Sequence, residues 1–408
     1  MGSIVSTRSI VLFVGAGASR PYGVPTANAI AHRIVGDVLG SSGGKLLRGI
    51  DDVYNNPLRH VLKSFLVSTF PAIGEYEAGR PAITDILSIV DYSIATETIL
   101  PIDLDDGSVF DMHEVRRALE HCVMEIIASA QEKAVTINAN AMSTTQAPSS
   151  QGNILAVDTL RQLATNINAW TESRTGTFTL ISTNYDTIID RVVYDVESEE
   201  ADHQFPHTDV GTTFRVRYSE QGTLIPRNTN ASKRLFKLHG SLNWLKCPAC
   251  ENLYIASVDE NLTKFVENTY GVEALNDCHC GHAPLRPLII SPSYVRDVRD
   301  TALREIWRSA QESLRMADVW IFVGYSLPAE DVAIRSMIAR ARMSRNSSTG
   351  GRRIHVYDIV PSTDNSMSDV EARYKVLLEG NNTALTYHSG GLEEFLNDMR
   401  NGFDALCK

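Results

Sequence analysis

The chain has 408 residues, enough to bury a large core and to contain two or three domains. Its 38 basic and 49 acidic residues give a net charge of −11, which argues against a dedicated nucleic-acid binder because phosphate binding requires a basic surface. No apolar run reaches the roughly 18 residues that span a bilayer, and the N-terminus lacks a secretory pattern. We therefore expect a cytoplasmic protein that does not enter a membrane.

The first predicted strand covers residues 9–14, where near-continuous apolarity is typical of a central parallel strand buried on both faces. Gly15, Ala16, Gly17 and Ser19 follow it in a turn. Glycines allow a tight bend and a close approach to a ligand, and the N–H groups of such a turn can bind a pyrophosphate. Arg20 stands where the third glycine of a full dinucleotide fingerprint would be, so an ordinary strand-to-helix turn remains an alternative.

The next hundred residues have helical periodicity and no convincing strand, so we predict a helical insertion over 30–150. Within it, the Ser/Thr/Asn/Gln-rich residues 138–153 indicate an exposed loop. Helical spacing resumes over 153–171.

Two polar side chains, Asn184 and Asp186, follow a predicted strand at 178–182. Residues two apart at a strand end point to the same side, which makes them candidates for contacts with a ligand. An alternative is that they cap a helix over 187–196.

His239 follows a predicted strand at 235–238. A histidine at a strand end can be structural, but its proton affinity near neutral pH also suits a general base.

A second glycine turn contains Gly324 and Ser326 and follows a strand at 319–323. It too fits an ordinary strand-to-helix turn. Asp358 ends what we expect to be the last strand, at 353–358, where a carboxylate can bind a ribose hydroxyl. A closing helix is expected over 391–406.

Four of the six cysteines lie close together in the sequence: Cys247, Cys250, Cys278 and Cys280. Two thiolate pairs in a cytosolic chain favour tetrahedral zinc over disulfides. The second pair has one intervening residue rather than two, so His279 or His282 remains an alternative ligand. We predict a zinc-ribbon module over 245–285.

Taken in order, these motifs resemble the sirtuin family, most closely its prokaryotic branch that consumes NAD+. The resemblance implies an α/β fold, with a Rossmann-like parallel sheet, a large helical insertion and a small four-cysteine zinc ribbon inside one NAD-binding domain spanning 1–408. It implies that Asn184 orders a water and the nicotinamide ribose, that Asp186 contacts the carboxamide, and that His239 is the general base. It further implies cofactor contacts from Gly15, Ala16, Gly17, Ser19, Gly324, Ser326 and Asp358.

Two segments depart from the deacetylases of that family. Thr26-Ala27-Asn28 stands where they carry Asp-Phe-Arg, and residues 289–294 replace their Phe-Gly-Glu-x-Leu-Pro segment beside the acyl-peptide groove. Both changes affect the acceptor half of the reaction. The resemblance therefore predicts an NAD+ glycohydrolase, with a protein deacylase or ADP-ribosyltransferase as the alternative and an inactive nucleotide-binding scaffold as a third possibility.

The large insertion resembles that of bacterial defence proteins that deplete NAD+ during phage infection. This implies a homo-oligomer that works with a separate activator. A HerA-type ATPase is the first expectation and a short Argonaute the second, with nucleic acid contacted only through the partner.

Overall fold

In the computed structural model, the part of the chain that can be described comprises residues 8–40, 46, 58–75, 80–98, 111–143, 157–173, 176–194, 208–217, 222–256, 278–281, 285–290, 293, 300–343, 351–359, 369–380, 383–400, 402–403 and 406–407. No helix in these ranges is both long and apolar enough to cross a membrane.

A seven-stranded, all-parallel sheet forms the centre of the protein, with strand order β12-β11-β10-β1-β2-β6-β3. Its strands are β1 (Ile10–Val14), β2 (Phe178–Ser182), β3 (Thr208–Asp209), β6 (Lys233–Lys237), β10 (Val319–Val323), β11 (Arg352–Tyr357) and β12 (Thr383–His388). β1, β2 and β10 are buried along their whole length, as their apolar sequences predict. The α/β, Rossmann-like prediction is thus confirmed.

A second sheet has five strands in the order β5-β4-β8-β7-β9. They are β4 (Phe214–Val216), β5 (Leu224–Ile225), β7 (Gly240–Lys246), β8 (Leu253–Ile255) and β9 (Arg286–Ile289). β4 pairs with β8 in parallel, and the other pairs are antiparallel. This sheet carries the cysteine cluster.

Ten α-helices lie in the described ranges: α1 (Ala16–Ser19), α2 (Ala27–Leu39), α3 (Leu58–Thr69), α4 (Ile83–Ala95), α5 (Met112–Ser143), α6 (Val157–Ser173), α7 (Thr301–Met316), α8 (Val332–Met343), α9 (Asp369–Leu378) and α10 (Gly391–Met399). α7 illustrates how the sequence determines where a helix begins and which face is buried. Asp300 accepts a hydrogen bond from the Leu303 amide at 3.0 Å, and apolar residues at helical spacing face the core.

Four local expectations need correction. α5 continues to Ser143, so residues 138–143 of the predicted loop are helical, because alanine and methionine in that stretch support a helix. Residues 144–153 of that prediction lie outside the described part of the chain. Only a short 3₁₀ turn, Ile189–Val192, occupies the described part of the helix predicted over 187–196. The strand at 352–357 is not the last one of the sheet, because β12 follows it. The closing helix, expected over 391–406, ends at Met399.

The sheet topology brings the sequence motifs to one edge. β1, β2, β6, β10 and β11 run in the same direction and therefore present their carboxyl ends together. From β1, the chain continues to β2 on one side, while β10 and β11 lie on the other. Ligands in doubly wound sheets bind at such a reversal of strand order.

Candidate functional site

Two glycine turns meet directly above the ends of β1 and β10. The Gly17 amide donates to the Gly324 carbonyl oxygen at 2.9 Å, and the Gly15 amide donates to the Val323 carbonyl at 3.1 Å. A Cβ on Gly17 would lie 2.8 Å from the Gly324 Cα, and Gly324 itself has φ +61°. Glycine is therefore required here for contact between the two turns.

A cavity of about 440 Å³ opens at this edge of the sheet. Eight of the ten predicted catalytic and cofactor residues line it: Ala16, Gly17, Asn184, Asp186, His239, Gly324, Ser326 and Asp358. The other two, Gly15 and Ser19, lie behind its wall, and Ser19 is completely buried. The fold thus brings together residues up to 342 positions apart in the chain.

Ser19 holds the two polar residues of the β2 turn in place. Its hydroxyl accepts from Asn184 Nδ2 at 2.9 Å and donates to Asp186 Oδ1 at 3.0 Å. Asn184 Nδ2 also donates to the Gly15 carbonyl at 3.0 Å. The amide oxygen of Asn184 is buried and has no hydrogen-bond partner among the residues that the structure describes. Because buried polar atoms are nearly always paired, this oxygen in a cavity wall indicates a polar ligand or water.

Asp186 is almost completely buried, and burial raises the pKa of its carboxyl although Lys237 and the Ser19 hydroxyl oppose the shift. Its Oδ1 also accepts from the Ile188 amide, two residues on, at 3.1 Å. This is a local turn contact rather than the predicted helix cap, because the described residues that follow form only a short 3₁₀ turn whose N-cap is Ile188. Beneath it, buried Lys237 donates to the Asp186 carbonyl at 2.6 Å and to Asp190 at 2.7 Å. This lysine fixes the backbone of the turn from below.

His239 has its tautomer set by the backbone. Nδ1 lies 3.1 Å from the carbonyl oxygen of Thr183, which can only accept, so a neutral ring carries its proton on Nδ1 and its lone pair on Nε2. The Ile290 amide donates to the His239 carbonyl at 2.8 Å. Gly240 follows with φ +76°, where a Cβ would lie 1.9 Å from the Leu288 oxygen. This arrangement suits a general base with a fixed orientation.

The cavity wall also includes three acidic residues, Glu330, Asp331 and Asp358. Burial raises the pKa of Asp358. Asp331 accepts from the Tyr325 hydroxyl at 2.7 Å, which holds the second turn in shape.

Arg20 is the one lysine or arginine among the described residues that line this cavity. It is exposed and directly follows α1, at the C-terminal end of that short helix. In the sequence, Arg20 stood out only as a departure from the glycine fingerprint. A guanidinium in a cavity wall can pair with an anionic group such as a diphosphate.

The helices between β1 and β2 supply an apolar wall. Ile83 of α4 and Val123 and Ile127 of α5 line the cavity. Sequence reasoning assigned the insertion no role in the site, because nothing in a local helical pattern shows which turn faces a distant strand end.

The four cysteines converge at the end of β7, and their sulfur atoms lie within 4.8 Å of one another. Cys247 and Cys280 are 3.7 Å apart and Cys250 and Cys278 3.4 Å, too far for disulfides and close to the spacing of thiolates around one tetrahedral ion. The surrounding apolar cluster is small, which fits a module stabilised by metal. The donor set is that of a structural Zn²⁺ site.

Of the two alternative ligands, only His279 lies in the described part of the chain. His279 Nδ1 contacts the Tyr254 hydroxyl and lies 3.5 Å from the Cys278 sulfur, so it is a neighbour of the cluster. His282 and residues 257–277 lie outside the described part of the chain.

A comparison with protein families finds that a model described as a SIR2-like domain matches residues 179–383. This range includes the β2 turn, His239, all four cysteines, the second glycine turn and Asp358. The first glycine turn and helices α2–α6 lie before it. No curated protein matches the chain.

Proposed function

The chain belongs to the SIR2-like domain family, whose members act on NAD+, and we propose that it is an NAD+ glycohydrolase. The observation that carries this proposal is the convergence of Asn184, Asp186 and His239 in one cavity with the two glycine turns. In the proposed reaction the bond between nicotinamide and ribose breaks, and its electron pair leaves with nicotinamide. A water oxygen then bonds to the ribose carbon, giving ADP-ribose and releasing one proton.

Each site residue has a defined task in this scheme. The buried oxygen of Asn184, which has no hydrogen-bond partner in the described part of the chain, accepts from the water or from a ribose hydroxyl. The Asp186 side chain lies beside it to meet the carboxamide, and His239 Nε2 takes the proton from the attacking water or hydroxyl. Fixed orientation of these groups lowers the barrier, because the ribose and its nucleophile are then held in a reactive geometry.

The diphosphate is assigned to the first glycine turn and Arg20, which lie together in the cavity wall and supply one positive charge. Asp358 is assigned to the adenosine ribose. A carboxylate there favours a ribose hydroxyl and repels a 2′-phosphate, so we expect NAD+ to be preferred to NADP+.

The acceptor side of the cavity supports water rather than a peptide as the nucleophile. Ser293, in the segment where deacetylases of the family border their peptide groove, is completely buried, and its hydroxyl lies 3.5 Å from that of Ser88 on α4. The polar groups of Ile290 are also used: its amide donates to His239, and its carbonyl accepts from the Tyr185 hydroxyl. A peptide strand would have to displace these contacts to add there.

We further propose that the enzyme depletes NAD+ as an antiphage effector, as a homo-oligomer activated by a separate protein. A HerA-type ATPase is the first candidate partner and a short Argonaute the second. This part of the proposal is supported by the resemblance of the motifs and the insertion to bacterial defence proteins.

The test is NAD+ consumption without any peptide, with products resolved by chromatography, for the protein alone and with the candidate ATPase and DNA. We expect nicotinamide and ADP-ribose in equal amounts, and at least a hundredfold loss of rate in Asn184→Ala and His239→Ala. His113→Ala, at an exposed histidine on α5, is the matched control and should keep full activity. Turnover that requires an acylated peptide would instead establish a deacylase, and full activity of both site variants would disprove the site assignment.

A further inference from the structure

A second group of metal-ligating side chains lies at the end of β12 and along α10. His388, Glu394 and Asp398, here called the His388 cluster, offer one nitrogen and two carboxylate oxygens within 4.8 Å of one another. His388 Nδ1 and Glu394 Oε1 are 3.3 Å apart, close to the roughly 3.4 Å between two ligands on a tetrahedral ion with bonds of about 2.1 Å. Asp398 supplies the third ligand atom within the same 4.8 Å.

Each member of the cluster is held by its other polar atom. His388 Nε2 contacts His355 Nδ1 at 3.3 Å. Glu394 Oε2 accepts from the Gly390 amide at 2.7 Å, and Asp398 Oδ2 accepts from the Tyr357 hydroxyl at 2.8 Å.

The Tyr357 ring also stacks on His388, with ring centres 4.0 Å apart and planes 6° from parallel, which fixes the imidazole plane. Metal sites are built in this way, with an outer contact orienting each ligand.

The hydrogen bonds also determine where the imidazole protons lie. His355 Nε2 faces the Leu406 carbonyl at 3.3 Å, which can only accept, so a neutral His355 has its proton on Nε2 and a lone pair on Nδ1. His388 must then donate from Nε2 to this lone pair. A neutral His388 is left with its Nδ1 lone pair pointing at the Glu394 carboxylate. Two acceptors facing each other at 3.3 Å are unfavourable unless a positive charge lies between them.

We propose that the His388 cluster binds a divalent transition-metal ion of the Zn²⁺ class. One imidazole and two carboxylates suit such ions better than Cu⁺, which prefers thiolates, or Mg²⁺, which prefers oxygen ligands and retained waters. The ion would join the end of β12 to α10. The same elements border the proposed NAD+ cavity, since Gly391 and Leu392 line it and the Asp358 amide donates to the His388 carbonyl at 3.1 Å. The site is separate from the cysteine cluster and does not depend on the proposed activity.

The test uses the purified full-length protein, with its cysteine-bound zinc first quantified by mass spectrometry. ZnCl₂ is then titrated by calorimetry, and the melting temperature is measured with and without ZnCl₂ in excess over the protein. We expect one additional equivalent to bind with a dissociation constant in the micromolar range and to raise the melting temperature. His388→Gln and Glu394→Gln should weaken this binding at least tenfold, and Cys250→Ser should leave it intact.

Glu393→Gln is the matched control, because Glu393 is an exposed neighbour on the same helix. If a glutamine variant melts early without metal, Asp398→Asn provides a second test, since asparagine keeps an oxygen for the Tyr357 hydroxyl. The proposal is overturned if the wild type takes up no additional zinc, or if Glu394→Gln binds it as tightly as Glu393→Gln. In that case a protonated His388 paired with Glu394 accounts for the geometry.

Discussion

Replacing Ser19 with alanine removes one oxygen atom and, with it, the two hydrogen bonds that join Asn184 to Asp186. The residue is completely buried and does not line the cavity, so the change leaves every surface that a substrate would touch in place. It is therefore a test of positioning in the site.

The expected loss of stability depends on which hydrogen bonds Asn184 and Asp186 keep when the Ser19 hydroxyl is removed. Asn184 Nδ2 keeps its bond to the Gly15 carbonyl, so that loss is a neutral hydrogen bond of about 1 kcal/mol. Asp186 Oδ1 keeps its bond from the Ile188 amide but loses the one from Ser19, and a bond to a buried carboxylate contributes about 1.5–3 kcal/mol. We expect Ser19→Ala to lower the free energy of unfolding by roughly 2–4 kcal/mol and kcat/KM for NAD+ by roughly 10- to 100-fold through misplacement of Asn184.

The assay combines urea unfolding with nicotinamide release. Ser93→Ala is the matched control, because Ser93 is also buried but its hydroxyl bonds only to the Ile89 carbonyl of its own helix, at 2.8 Å. Its removal should change the free energy of unfolding by less than about 0.5–1 kcal/mol and leave turnover unchanged. If Ser19→Ala unfolds like Ser93→Ala and keeps wild-type turnover, the hydrogen-bond network does not position the site.

Three further outcomes are expected. Arg20→Ala should raise KM for NAD+ about tenfold and change kcat less than about twofold, because it removes one phosphate contact of about 1.4 kcal/mol, whereas exposed Arg33→Ala should change neither constant. Cys250→Ser should lose the zinc of the cysteine cluster by mass spectrometry and melt at a lower temperature, and an unchanged zinc content would exclude that ligand. Burial raises the pKa of Asp190 to about 6 against the opposing charge of Lys237, so the folded state holds a proton between about pH 4 and 6 that the unfolded state has released. The stability that this proton contributes is present at low pH and is lost as the pH rises through this window. The free energy of unfolding should fall by on the order of 1 kcal/mol between pH 5 and 7. Asp190→Asn should remove this part of the pH dependence in urea titrations.

The strand ends of the site were predictable because buried parallel strands leave a strong local pattern. β1, β2 and β10 are short apolar runs, and each is followed at once by small or polar residues. Once the runs are assigned to one parallel sheet, their turns must lie on the same edge.

β12 was missed because it lies at the edge of the sheet, where the burial that makes a strand apolar is incomplete. Its residues alternate between half-buried and exposed, and threonine, alanine and histidine make up much of it. Such a run resembles a loop until its neighbour β11 is known.

The roles of Ser19 and the insertion helices depend on packing across long sequence separations. Ser19 belongs to a glycine turn that predicts ligand contact, but the structure turns its hydroxyl toward Asn184 and Asp186. Ile83 and Val123 are ordinary apolar helix positions whose place in the cavity wall is set by how α4 and α5 pack on the sheet. No local pattern contains that information.

The central position of β1 has a consequence for synthesis of the protein. β1 pairs with β10, in which Val14 lies opposite Val323, a residue 309 positions later in the chain. One edge of β1 therefore has no partner strand until β10 has been synthesised. At 5–20 residues per second a ribosome needs about 15 to 60 s to supply that partner. The two glycine turns also meet only then, so an incomplete nascent chain cannot assemble the cavity. Under the proposed function, the NAD+ site would therefore form only when most of the chain has been made.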